Sequence, residues 1–210
     1  MAATRTVMAE AAKTLGRRDP VLKALVKQYG YPPGRPHVPA SMRFAVLARS
    51  ILYQQLAGKA AAAIEGRFVD ALGGEVTPER VLAVSTEVLR SCGLSGAKAR
   101  SIQDLADKVS SGLISLDRIG RLSDEEVVEH LIQVRGIGQW TAEMFLLGTL
   151  GRLDIWPVGD YGVRAGFARC WQLPEIPTPK ELMVLGDPYR PYRSVVAWYC
   201  WRVMDTRLPE

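Results

Sequence analysis

Histidine and cysteine are scarce in these 210 residues: there are two of the first, His37 and His130, and three of the second, Cys92, Cys170 and Cys200. Two histidines are too few to anchor a metal centre alone. The cysteines are far apart, odd in number and without metal-knuckle spacing, so neither a disulfide framework nor a zinc site is expected. All five are expected to be packing or surface residues. Long apolar runs are also missing. No stretch approaches the roughly 18 consecutive apolar residues that span a bilayer, so no membrane is expected among the partners. Residues 1–16 lack an apolar core followed by a small-residue cleavage site, so no secretory signal is read and a cytoplasmic protein is expected. Period-two alternation and β-branched runs are sparse, which argues against β-sheet.

What is present is an ordinary globular balance, 48% hydrophobic and 23% charged, with a formal net charge of +5. The charge is lopsided. The first 43 residues hold Arg5, Lys13, Arg17, Arg18, Lys23, Lys27, Arg35 and Arg43 against Glu10 and Asp19, so this front segment carries +6 and the remainder −1. A basic segment over residues 1–40 can attract phosphate at long range. It can equally be a solvated face, and charge alone does not choose between the two.

Helical patterns dominate the rest. Phe44, Leu47, Ala48 and Ile51 recur at helical spacing, as do Ile64, Phe68 and Leu72 within an alanine-rich stretch from Lys59. Thr77-Pro78-Glu79 and Ser85-Thr86-Glu87 read as capped helix starts. Ala97 to Val109 presents Ile102, Leu105, Ala106 and Val109, and Ser123 to Glu126 forms a capping box ahead of Val127, Val128, Leu131 and Ile132. Further helices are expected over Gln139–Leu147, Asp160–Trp171, Pro179–Leu185 and Pro191–Met204. The fold class is all-α.

The most informative segment runs from Leu131 to Ala142. A capped amphipathic helix enters Gly136-Ile137-Gly138, and a second helix starts at once. Glycines let backbone approach a bulky anion, and the first N–H groups of a helix have no partner within it. With the positive end of the helix dipole, that arrangement binds phosphate without charged side chains. A Gly-x-Gly alone is also the mark of a simple tight turn. Twenty-two residues beyond Gly138, Asp160 follows the Gly/Pro-rich loop Ile155-Trp156-Pro157-Val158-Gly159. A plain helix cap would explain that aspartate, and so would a catalytic carboxylate. Asp154 is its rival.

Together these residues resemble the HhH-GPD superfamily of DNA glycosylases. Val134, Gly136, Ile137, Gly138, Thr141 and Ala142 fill the pattern of its helix-hairpin-helix, here about residues 124–148, with Arg135 where a proline is frequent. Asp160 matches its catalytic aspartate. Ile51 to Ala60, with Gln54-Gln55-Leu56, and Arg190-Pro191-Tyr192-Arg193-Ser194 resemble segments of the alkylpurine (3-methyladenine) DNA glycosylase II, AlkA-like, branch, in the same order.

The resemblance covers roughly residues 40–205. It implies a two-lobed helical fold with the active site in the cleft between lobes, the whole of 1–210 forming one glycosylase unit. It implies damaged double-stranded DNA as partner, a monomer, and a place on the nucleoid if the source is bacterial. Asp160 would stabilise an oxocarbenium-like sugar or orient water. Trp140, Met144 and Tyr192 would line the base pocket, Tyr192 standing where tryptophan is more usual. Leu56 would be the wedge that fills the hole left by a flipped base, with Gln55 beside it. Lys98, in Gly93 to Ala99, would meet a phosphate, and Gly136, Ile137, Gly138 and Thr141 would contact the DNA backbone.

Trp140 also stands where lyase-competent relatives carry a lysine, which implies a monofunctional enzyme using water. Three scattered cysteines do not match the four that hold an iron–sulfur cluster in other relatives. No cofactor is required. A structural Na+ or K+ held by the carbonyls of Ile132, Val134 and Ile137 is implied by the resemblance alone. Trp198 and Trp201 are expected to pack the last helix. Two other readings stay open: a glycosylase for another lesion, such as hypoxanthine or uracil, and a non-catalytic helix-hairpin-helix DNA binder.

Overall fold

A computed structural model describes residues 3–35 and 38–204 of the chain. His37 lies outside the described residues. Every regular element among them is helical, and they fall into two compact units, unit 1 over Met1–His37 and Leu146–Glu210 and unit 2 over Val38–Phe145. None of the helices is long and apolar enough to cross a membrane.

Unit 1 opens with α1 (Arg5–Arg18) and α2 (Pro20–Tyr29), two helices in contact that together carry most of the basic front segment. Met8, Ala11, Ala12 and Leu15 are buried along one face of α1, and Leu22 and Leu25 along α2. The apolar stripe uses small alanines, which is why charge masked it. Asp19 makes the corner: its Oδ1 accepts the Val21 and Leu22 N–H groups, capping α2 behind Pro20. Its Oδ2 accepts the Trp171 indole N–H at 3.0 Å and the Tyr189 hydroxyl at 2.8 Å. The front segment is therefore a wall of unit 1, with Lys13, Arg17, Arg18, Lys23 and Lys27 exposed on its outer side.

Unit 2 is built from α3 (Arg43–Tyr53), α4 (Gly58–Ala71), α5 (Pro78–Leu82), α6 (Thr86–Ser91), α7 (Gly96–Ser110), α8 (Asp124–Leu131) and most of α9 (Gln139–Gly148). The caps expected at Thr77, Ser85 and Ser123 all form, the last as a full capping box with Glu126. Phe44, Leu47, Ile51, Phe68, Ile102 and Leu105 make its core.

The chain returns to unit 1 with α10 (Tyr161–Cys170), α11 (Pro179–Leu185) and α12 (Arg193–Val203). Gly166 puts α10 directly on α12, because a Cβ there would run into the Cys200 carbonyl. Tyr199 is buried in α12 and donates its hydroxyl to the Gly30 carbonyl, joining α12 to the end of α2.

Candidate functional site

The loop ahead of α10 is apolar for a structural reason. Ile155 and Trp156 are buried, the Ile155 N–H donates to Ser194 Oγ, and the Trp156 indole N–H donates to the Leu182 carbonyl. A tight turn follows, closed by the Asp160 N–H onto the Pro157 carbonyl at 2.9 Å. Its last residue is Asp160, the N-cap of α10. Asp160 Oδ1 accepts the Val163 N–H at 2.8 Å and the Trp201 indole N–H at 2.9 Å. Two donors from different helices thus fix both the position and the rotation of a half-buried carboxylate. Gly162 makes this possible, since a Cβ there would sit 3.0 Å from Trp201 Cδ1.

Trp201 was expected only to pack α12. It is buried, yet its one polar atom is aimed at Asp160, so it belongs to the site. Nothing in the one-dimensional pattern distinguishes that tryptophan from Trp198, which packs edge-on against Tyr199. Only the crossing of α10 and α12 does so.

Asp154, the rival carboxylate, is tied to Arg190 and Arg193. The buried Arg193 guanidinium grips it from two nitrogens, Nε to Oδ1 and Nη2 to Oδ2, both at 2.9 Å. The Arg193 N–H adds a bond to Oδ1, and Arg190 Nη1 reaches Oδ2 at 3.0 Å. This bidentate clamp holds segment 190–193, whose Arg190–Pro191 peptide is cis. It places Tyr192, half-buried, just before the first turn of α12.

In unit 2, Leu131, Val134 and Ile137 are buried and anchor the turn between α8 and α9. Gly136, Gly138 and Ile132 are exposed. The two glycines are present for different reasons. Gly136 has φ of +79°, and a Cβ on it would lie 2.5 Å from Ser101 Oγ. Gly138 has no positive φ, and a Cβ there would meet nothing within 4 Å. Neither a positive φ nor packing demands glycine at 138, whose missing Cβ would face open space beside the start of α9. On α9, Trp140 is 43% exposed, Thr141 is buried and Met144 is half-buried. Trp140 and Met144 thus lie in unit 2, and Asp160, Tyr192 and Trp201 in unit 1.

The loop between α3 and α4 exposes Gln55 and Leu56 at its tip. Gln55 has φ of +57°, a left-handed conformation rare for a residue with a side chain. The base of the loop is braced. The Tyr53 hydroxyl donates to Glu65 at 2.6 Å, and Arg49 pairs with the same carboxylate at 3.0 Å while stacking over the Tyr53 ring. Lys98 Nζ donates to the Leu52 and Gln54 carbonyls at 2.7 and 2.6 Å, and burial pulls its pKa below the usual lysine value. Gln54, the first residue of the Gln54-Gln55-Leu56 segment, sends its side-chain Nε2 to the Gly136 carbonyl at 2.9 Å.

The carbonyls of Ile132, Val134 and Ile137 are neutral oxygens on this turn, a donor type that suits hard cations. Val134 O already accepts the Ile137 N–H at 3.0 Å, and a carbonyl keeps a second lone pair for an ion. Among the described residues no group of three or more His, Cys, Asp or Glu could hold a metal, and the three cysteines are free thiols.

Residues 48–191 match the family described as HhH-GPD superfamily base excision DNA repair protein. The chain is 37% identical over 201 residues to DNA-3-methyladenine glycosylase 1 of Schizosaccharomyces pombe, covering 94% of this chain and 88% of that one. Among solved structures it is similar to an S. pombe 3-methyladenine DNA glycosylase in complex with abasic DNA. That match has a TM-score of 0.78 and 37% identity, over 92% of this chain and 95% of the other. It is also similar to a DNA-3-methyladenine glycosidase from Bacillus halodurans, with a TM-score of 0.82 and 36% identity over 91% and 88%.

Proposed function

The chain belongs to the HhH-GPD superfamily of base excision DNA repair proteins, and we propose that it is a monofunctional DNA glycosylase of the 3-methyladenine DNA glycosylase II type. It hydrolyses the N-glycosidic bond of alkylated bases, of the 3-methyladenine and 7-methylguanine type, and leaves an abasic site. The whole chain works as one glycosylase unit, a monomer on damaged double-stranded DNA, in the cytoplasm and on the nucleoid if the source is bacterial. The observation that carries this reading is Asp160, a carboxylate held rigid by the Val163 N–H and the Trp201 indole at a helix start.

When the bond between C1′ and the base breaks, its electron pair leaves with the base and positive charge develops on the sugar. A fixed carboxylate lowers the energy of that charge and can orient a water for attack at C1′. The water oxygen adds to C1′ and its proton is lost. A methylated purine that is already cationic departs neutral, so no strong general acid is needed. Trp140, Met144 and Tyr192 contact the flipped base, an indole face attracting a cationic ring by roughly 0.5–2 kcal/mol. Tyr192 owes its placement to the Asp154–Arg193 clamp.

Leu56 enters the stack as the base leaves, with Gln55 beside the unpaired partner. Gly136, Ile137, Gly138 and Thr141 hold backbone phosphate at the start of α9, and Gly138 keeps that approach unobstructed. A Na+ or K+ on the carbonyls of Ile132, Val134 and Ile137 would supply a fixed positive charge beside that phosphate. No step of the hydrolysis runs through it.

Base-release profiling of methylated DNA tests the reading. The freed bases, separated by chromatography, are expected to include 3-methyladenine and 7-methylguanine. Release of only hypoxanthine or uracil from matching substrates would move the enzyme to another lesion. Release of nothing would leave a DNA binder.

A further inference from the structure

We infer that α7 is a jig that sets the Gln54–Ala57 loop and the 132–138 hairpin in one fixed register, with Lys98 as a positioning residue that acts through the loop's main chain. The inference rests on the proposed glycosylase reading, in which the loop tip fills the stack while the hairpin grips phosphate.

Three side chains of α7, at Lys98, Ser101 and Asp104, recur at three-residue spacing and so share one face of the helix. Lys98 Nζ donates to the Leu52 and Gln54 carbonyls. These lie at the end of α3, where the last carbonyls lack helical partners and the dipole is negative, and α3 has no basic residue of its own in its last turn. One turn on, Ser101 lies against Gly136 so closely that a Cβ on the glycine would reach its hydroxyl. Asp104 Oδ2 accepts the Arg135 N–H at 2.7 Å, and its Oδ1 is paired with Lys108. Gln54 then closes the circuit by donating to the Gly136 carbonyl. Loop and hairpin are thus tied to one helix and to each other.

The function needs this arrangement. A wedge inserts productively only if its tip is fixed relative to the groups that hold the backbone. Gln55 at that tip has a positive φ, a conformation that persists when its surroundings over-determine it. Lys98 has two of its three donors committed to carbonyls, which makes it a support of the loop and not a counter-charge to phosphate.

The test uses the full chain with Lys98→Met, Lys98→Arg and Gln54→Met. Two quantities are measured on duplex DNA containing an abasic site opposite 2-aminopurine. One is the fluorescence rise as the probe unstacks, and the other is the slope of log affinity against log salt. Neither needs base release, so failure of the lesion assignment would not be mistaken for failure of this inference. Single-turnover base release is then compared for a lesion in a normal pair and a lesion opposite an abasic gap.

Lys98→Met is expected to abolish most of the fluorescence rise with the salt slope unchanged. It should slow release from the paired lesion roughly tenfold and affect the pre-unpaired lesion far less. Lys98→Arg, which can donate to the same carbonyls, is expected to restore both. Gln54→Met should show the same split at smaller size, and it serves if Lys98→Met does not fold. A salt slope lowered by about 0.9 with equal losses on both substrates would make Lys98 a phosphate contact and overturn the inference. So would wild-type fluorescence and rates in Lys98→Met.

Discussion

Asp160 in unit 1 and Gly136-Ile137-Gly138 in unit 2 are both placed at the start of a helix, but they are held by opposite means. Around Asp160 the added donor is a side chain, the Trp201 indole, brought from another helix onto the first turn of α10. Around the hairpin the presented groups are main chain. The side chains there, from Gln54, Ser101 and Asp104, stand behind the turn or at its flank. The difference fits what each would do in the proposed hydrolysis. A transition-state charge of one sign at one point calls for one fixed ionised group. A phosphate moving in from solution calls for bare backbone with room in front of it.

The first prediction presses on that contrast hardest. Asp160→Asn keeps an oxygen for the N-cap, so the melting temperature should hardly change. Base release should fall by at least about 10³-fold, roughly 4 kcal/mol of barrier, while duplex affinity persists. Release at the wild-type rate would remove Asp160 from the chemistry. Asp154→Asn should do the reverse. It breaks the clamp on the buried Arg193 and should cost about 2–4 kcal/mol of stability by denaturant unfolding. The folded fraction should lose only a few-fold in release, through the looser placement of Tyr192, far less than Asp160→Asn loses. A large rate loss in stably folded Asp154→Asn would reopen its candidacy.

Trp201→Phe asks whether the side-chain half of the comparison concerns position. It removes a single N–H from the Asp160 carboxylate and keeps most of the bulk. Release is expected to fall about tenfold to thirtyfold in kcat, with little change in duplex affinity. An effect confined to affinity would mean that the indole meets DNA and does not orient the carboxylate. The smallest effect is expected at Gly138→Val, which probes the main-chain half. A Cβ there would meet nothing within 4 Å, so the fold should tolerate it. Duplex affinity should drop by about fivefold to tenfold because phosphate can no longer close on the backbone. Unchanged affinity in titrations would contradict the hairpin's role.

Much of this was legible in one dimension. Helix starts announce themselves through short polar caps, and those at Thr77, Ser85 and Ser123 formed as read. The all-helical class followed from apolar spacing. The hairpin and Asp160 were visible because both are local: a turn needs its glycines in sequence, and an N-cap precedes its helix. The front segment was missed because an alanine stripe is a weak apolar signal beside eight cations. Lys98 could be read as a cation, but not as one whose ammonium faces inward.

What the sequence determined by itself was therefore the set of local devices, namely caps, a Gly-x-Gly turn and an acid after a Gly/Pro loop. Their cause lies within a few residues of one another. Which acid is clamped by an arginine and which is held by an indole at a helix start was decided only by tertiary structure, because Arg193 and Trp201 lie about forty residues from the aspartates they hold. The same holds for Lys98 and Gln54. Their partners are carbonyls that every residue carries, so no side-chain pattern could have named them.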